Sequence, residues 1–320
     1  MKLLVTGSTG FVGHTLIDEV LKVPDYHVCA AVRGLVADLP KNVEQFEIKG
    51  ISPDTDWEAG LEQVDCIIHI AARVHIMSDT ADNPLEEFRI VNTHGTLALA
   101  KQAEKSGVKR FIYLSTIKVN GESTRLDTPF KEDDIFIPTD PYALSKYEAE
   151  IGLLDLAKTT KMEVVIIRPP LVYGPGVKAN FYSMMKWLNK EIPLPFGAIH
   201  NKRNLVALDN LVDLILTCIE HPAAANQIFL VSDGEDLSTT ELLSCVAKAL
   251  GKKLRLLRVN QQLLELGLKF VGKKGLAQRL CGSLQVDISK AKKLLNWTPP
   301  VSVDEGLRKT AQHFLELQSK

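Results

Sequence analysis

"VTGSTGFVGH" (residues 5–14) decides how this chain of 320 residues is read. It overlaps the apolar run "KLLVT" (2–6) and leads straight into an amphipathic segment over 11–22. A buried strand feeding a helix through spaced glycines opens a βαβ unit. Gly7, Gly10 and Gly13 let the backbone turn sharply and let a pyrophosphate approach the amides at a helix N-terminus. Thr9, Phe11 and Val12 belong to the same turn, and Gly13 also permits close packing of helix on strand. The spacing is G-x-x-G-x-x-G rather than G-x-G-x-x-G. A glycine pattern alone is weak evidence; its place at the first strand–helix junction gives it weight.

Outward from this turn the first half of the chain alternates. "HVCAAV" (27–32), "VEQFEI" (43–48), "DCIIHIAA" (65–72), "RFIYLS" (110–115) and "MEVVIIRP" (162–169) read as strands. A long helix is predicted over 84–105, and another opens at Pro141. Short apolar runs without alternation, separated by helices, imply a parallel sheet covered on both faces. The expected class is α/β, a Rossmann-type doubly wound parallel sheet. After Pro170, proline and glycine cluster in "RPPLVYGPG" and "EIPLPFG" and the elements shorten. The chain is therefore divided into a dinucleotide-binding domain, 1–170, and a smaller mixed α/β substrate-binding domain, 171–320, with some exchange of segments.

Composition narrows the function classes. A hydrophobic fraction of 45% and a charged fraction of 24% are those of an ordinary globular protein. A net charge of −1 gives no support for a nucleic-acid partner. The five cysteines (29, 66, 218, 245, 281) are odd in number, scattered and never in CxxC spacing. They read as reduced thiols of a cytoplasmic protein rather than a disulfide framework or metal site. No apolar run is long enough to span a membrane.

"TDPYALSKYEAE" (139–150) carries the second decisive pattern. Thr139 or Asp140 can cap a helix whose first position suits Pro141. Tyr142 and Lys146, four apart, then share one face. At the end of the second strand, where an acidic residue normally holds the adenosine ribose, stand Val32 and Arg33. An arginine can pair with a 2′-phosphate that a carboxylate would repel, so NADP(H) is the preferred cofactor, with NAD(H) possible.

"TGSTGFVG", "DCIIHIAA", "VNTHGT", "LSTIKVNG", "PYALSK" and "RPPLVYGPG" occur in the order and spacing of the extended short-chain dehydrogenase/reductases. More narrowly, the chain resembles their nucleotide-sugar epimerase, dehydratase and reductase branch, over nearly its full length. The resemblance implies a catalytic set of Thr116, Tyr142 and Lys146. Tyr142 would exchange the hydroxyl proton at the carbon that exchanges hydride, and a Lys146 cation and the positive nicotinamide would together lower its pKa from an ordinary value of about 10. Ala71, Ala72, Pro169 and Val172 would join the glycine turn around the cofactor. For a UDP-sugar the resemblance implies His75 and Thr116 at the sugar, Asn180, Arg203 and Arg279 at the diphosphate, and Leu194 and Phe196 at the uracil. It also implies a homodimer.

Departures from the branch sharpen the reading. Its sugar dehydratases carry Asp-Glu directly after the threonine, where this chain has Ile117-Lys118, so a dehydratase is disfavoured. Its usual "VYG" is "VNG", placing Asn120 where an aromatic is expected. A redox-sensing binding protein on the same fold would typically have lost the tyrosine and lysine. The expectation is an NAD(P)H-dependent reductase of a UDP-4-keto-6-deoxy-N-acetylhexosamine, serving surface polysaccharide or O-antigen precursors. The alternative is a UDP-glucose or UDP-N-acetylglucosamine 4-epimerase that keeps its NAD bound. "LLELGLKFVGKKGLAQRL" (263–280) is amphipathic and basic, and is read as a substrate-domain helix pair with solvated lysines rather than a membrane contact.

Overall fold

The computed structural model describes residues 1–74, 83–134, 136–270, 272 and 274–319. Its strands are β1 (Lys2–Thr6), β2 (His27–Val32), β3 (Glu44–Glu47), β4 (Cys66–His69), β5 (Arg110–Leu114), β6 (Glu163–Arg168), β7 (Leu171–Tyr173), β8 (Leu205–Ala207) and β9 (Gln227–Leu230). Seven of them form one parallel sheet in the order β3-β2-β1-β4-β5-β6-β9, while β7 and β8 pair separately. The chain runs outward from β1 to β3 and then restarts on the other side of β1 with β4. That reversal opens a crevice beyond the carboxyl ends of β1 and β4, where such sheets bind ligands.

Eleven α-helices are described: α1 (Phe11–Val20), α2 (Pro84–Phe88), α3 (Thr96–Lys105), α4 (Pro141–Thr159), α5 (Ala179–Asn189), α6 (Leu208–Glu220), α7 (Thr239–Ala249), α8 (Gln261–Phe270), α9 (Lys274–Cys281), α10 (Ser289–Leu295) and α11 (Val303–Gln318). Alternation along β1 divides the core. Leu3 and Val5 face a layer containing Leu16 and Ile17 of α1 and Leu211 and Ile215 of α6. Leu4 faces Leu99 and Ala103 of α3 and Ala149 and Leu153 of α4. A third core, around Tyr173, Phe181, Leu243 and Phe314, holds α5, α7 and α11 together. Among the described residues no helix is long and apolar enough to cross a membrane.

Two local readings are revised. The fourth strand stops at His69, because the Ala71 amide turns to the Thr6 hydroxyl at 3.3 Å instead of continuing the ladder. The helix over 84–105 has the expected extent, but a π-helical stretch, Arg89–Gly95, separates α2 from α3. Such insertions frequently mark functional sites.

Candidate active site

The glycine turn is built by steric necessity. Gly7 has φ +74°, in the left-handed region, and its carbonyl accepts from the Gly10 amide at 3.0 Å. A Cβ on Gly13 would lie 2.1 Å from the Gly7 oxygen, and one on Gly7 would lie 2.8 Å from the Ala71 nitrogen. The turn therefore touches the loop after β4, across the crevice. Gly10 caps α1 without a side-chain acceptor, and the first turn contains no acidic residue. The amides of Phe11, Val12 and Gly13 have no partner inside the helix, and the macrodipole adds positive charge there. Ser8 is buried, and its hydroxyl has no partner among the described residues. This arrangement can hold a diphosphate, with Thr9 exposed at its edge.

The second wall is α4. Asp140 Oδ2 accepts from the Ala143 amide at 3.1 Å, and Pro141 occupies the first turn. Tyr142 lies edge-on to Phe88 at 5.9 Å between ring centroids, and Lys118 Nζ is 5.9 Å from its ring centre. Lys118 is itself paired with Asp140 at 3.2 Å. Lys146 is 1% exposed. It donates to the Leu114 carbonyl at 2.8 Å and sits 4.4 Å from the Tyr113 ring centre. Thr116 caps the 3₁₀ turn Ile117–Val119, and its Oγ1 accepts a long bond from the Lys118 amide, 3.4 Å. The Thr116 proton remains available for donation. Next to it the Ser115 hydroxyl is buried with no partner among the described residues.

Burial dominates the electrostatics of Tyr142 and Lys146. Burial pushes the tyrosine up to about 12, with Asp140 adding to the effect. Burial pushes Lys146 down to about 7, against the pull of Glu150. In both groups burial works against the charged form. Positive charge in the crevice would favour the phenolate.

Residues from distant segments hold these walls. Asn92 Nδ2, in the π-helical stretch, donates to the Arg73 carbonyl and to Ser145 Oγ, each at 3.0 Å, while its Oδ1 accepts from the Arg73 amide at 2.8 Å. Thr93 donates to the Ser145 carbonyl at 2.8 Å, and Ser145 Oγ donates to the Tyr142 carbonyl at 2.8 Å. His69 is fully buried between Thr6 Oγ1 (2.7 Å) and Thr96 Oγ1 (2.9 Å). Burial, with the Lys146 charge, holds its pKa down to about 3. Behind Lys146, Arg168 grips Glu150, its Nη2 2.6 Å from Oε2, with 5% and 2% of the residues exposed. Arg168 Nη1 also donates to Asn120 Oδ1 at 3.0 Å. Asn120 therefore belongs to this buried network.

The remaining expected positions scatter more widely. Arg203 donates to the Gly282 carbonyl at 2.9 Å. Its pKa is lowered by burial and then by the charge of Arg279, so the two arginines are electrostatic neighbours. Asn180 is exposed in the first turn of α5. Leu194 lies in the third core, and half-buried Phe196 accepts from Thr240 Oγ1 through its carbonyl at 2.6 Å. Ala71 and Ala72 follow β4 beside the glycine turn, and the buried Pro169 accepts from the Ile117 amide at 2.9 Å. Val172 pairs with Val206 across the small sheet. His75 lies outside the described residues.

Residues 3–232 match the NAD dependent epimerase/dehydratase family.
The chain belongs to that family.

UDP-glucose 4-epimerase of Vibrio cholerae is 52% identical over 322 residues, covering 99% of this chain and 97% of that protein. Mouse dTDP-D-glucose 4,6-dehydratase is 29% identical, covering 98% of this chain and 88% of that protein. The crystal structure of Thermotoga maritima UDP-glucose 4-epimerase with UDP-glucose has a TM-score of 0.78 at 25% identity, covering 99% and 100% of the two chains. These similarities overturn the reductase expectation. The preference for NADP(H) also loses its footing. Arg33 is exposed just past β2, a position compatible with either dinucleotide, and the family is described by NAD.

Sequence reasoning assigned no role to Asn92, His69, Glu150 or Arg168. Asn92 and His69 lie inside quoted family motifs, but their partners are 19 to 63 residues away along the chain.

Proposed function

We propose that this protein is a UDP-glucose 4-epimerase that works with a retained NAD. The 52% identity with the Vibrio cholerae enzyme along almost the whole chain carries the reading. The glycine cradle, the uncapped α1 terminus and the orphaned Ser8 hydroxyl fit the diphosphate of such a cofactor. In this reading Gly7, Thr9, Gly10, Phe11, Val12 and Gly13 hold it, with Ala71, Ala72, Pro169 and Val172 along its length. Arg33 lies toward the adenosine ribose and Lys146 toward the nicotinamide ribose. When bound, NAD⁺ supplies a reversible hydride acceptor and a positive charge.

The chain's own residues do the rest. Thr116 donates to the sugar O4 and fixes it. Tyr142 accepts the O4 proton as C4 becomes a carbonyl and returns it once the opposite face has been presented. Arg203, Arg279 and Asn180 hold the nucleotide diphosphate while the sugar turns. The protonated Tyr142 of the chain alone is a resting state, and positive charge entering the crevice favours the phenolate that acts as the base. The same reading assigns cofactor binding to 1–170 and sugar binding to 171–320, with α6 and β9 returned to the first part.

The test uses purified protein and UDP-glucose with no added cofactor. The expected result is interconversion with UDP-galactose, and NAD released on denaturation in near-stoichiometric amount. Absence of interconversion with NAD present, or a requirement for reduced cofactor at each turnover, overturns the proposal.

A further inference from the structure

Charge is unevenly distributed along this chain. Residues 252–279 contain eight lysines and arginines and a single acid, Glu265, although the whole chain has a net charge of −1. The stretch begins as an extended segment tied to residues 194–197, with Leu194 N–H donating to the Arg255 carbonyl at 2.9 Å. Leu254 and Leu256 pack on the third core, and the opposite phase leaves Lys253, Arg255 and Leu257 exposed. The α8–α9 pair follows, joined at its open end by Gln261 Nε2 donating to the Cys281 carbonyl at 3.3 Å.

The outward face of α8 is apolar. Leu263, Leu266 and Phe270 fall at i, i+3 and i+7, one stripe of a helix, and are 65%, 63% and 92% exposed. Leu257 before them and Leu276 on α9 are also exposed. An amphipathic stripe of this kind normally faces a core. Among the described side chains of the pair the buried ones are Ala277 and Cys281, both on α9. A contiguous apolar stripe in water, flanked by excess positive charge, is complementary to a surface offering negative headgroups over an apolar interior.

We propose that the α8–α9 hairpin, with the basic segment before it, docks this enzyme peripherally on an anionic phospholipid bilayer. Leu263, Leu266 and Phe270 enter the headgroup boundary, while Lys253, Arg255, Arg258 and Lys269 meet the phosphates.

The experiment is co-sedimentation of the full chain with vesicles of phosphatidylcholine alone and of phosphatidylcholine with about one-third phosphatidylglycerol. Binding is expected only to the anionic vesicles, weakening as salt screens the charges. Lys253→Glu and Lys269→Glu should each lower binding roughly fivefold or more. Leu266→Glu/Phe270→Glu should abolish it with sugar interconversion in solution unchanged. No sedimentation with anionic vesicles at low salt overturns the proposal, as does undiminished binding by the Leu266/Phe270 double variant. A wild-type oligomer that this double variant breaks into smaller species also overturns it, because the stripe then belongs to a second copy.

Discussion

At the scale of single residues, burial works against the charged forms of both Tyr142 and Lys146. The placement of Tyr142 and Lys146 on one helix face was legible because Pro141 opens the helix and the two stand four residues apart. The burial of Tyr142 was not legible, since it depends on Phe88 and Lys118, which pack against its ring from elsewhere in the chain. Tyr142→Phe should lower epimerisation by about 10²–10⁴-fold, the usual contribution of a positioned acid–base group, with NAD content unchanged. Phenolate absorbance offers a separate check. Without cofactor, the wild-type minus Tyr142→Phe difference should show no ionisation until about pH 12. Loading with NAD⁺ should move that ionisation downward, and identical titrations in both states would count against the charge-gated base.

At the scale of elements, α4 is held by partners that no local pattern announces. Its caps, Asp140 and Pro141, can be read from sequence because their work is done within four residues. Its rear contact, Glu150 with Arg168 of β6, cannot, and neither can the π-helical insertion that aims Asn92 at Ser145. Arg168→Met strands a buried carboxylate and should cost about 3–5 kcal/mol in denaturant unfolding. The Arg168→Met/Glu150→Leu pair should recover most of that loss, because both charges leave together. Activity in the double variant then reports on Lys146. If Glu150 helps Lys146 keep its proton, the lower limb of the pH–rate profile should shift.

At the scale of the whole molecule, the parallel sheet formed by the first six strands followed from alternation of apolar runs with helices. The seventh, β9, escaped notice because "QIFL" is short and lies among segments of mixed character. The molecule's acid tolerance is set in part by His69, which joins β1, β4 and α3. Its pKa is about 3 in the folded chain against an ordinary 6.5. As pH falls through that interval the unfolded chain takes up a proton that the native chain refuses, so stability is lost. His69→Gln should flatten this part of the stability curve, measured by thermal unfolding across pH 3–7.

The edge strand β9 has a further consequence. It pairs along β6 from Val165 to Arg168, and α6, from the same later part of the chain, covers β1's outer layer. A gene cut near codon 171 would yield a polypeptide with a naked row of amides and a stripped apolar flank. Such a fragment should aggregate on expression, and co-producing the missing portion should restore solubility. Swapping sugar-recognition halves between relatives at that junction would fail for the same reason, whereas grafts that carry 208–230 along with the first part should survive.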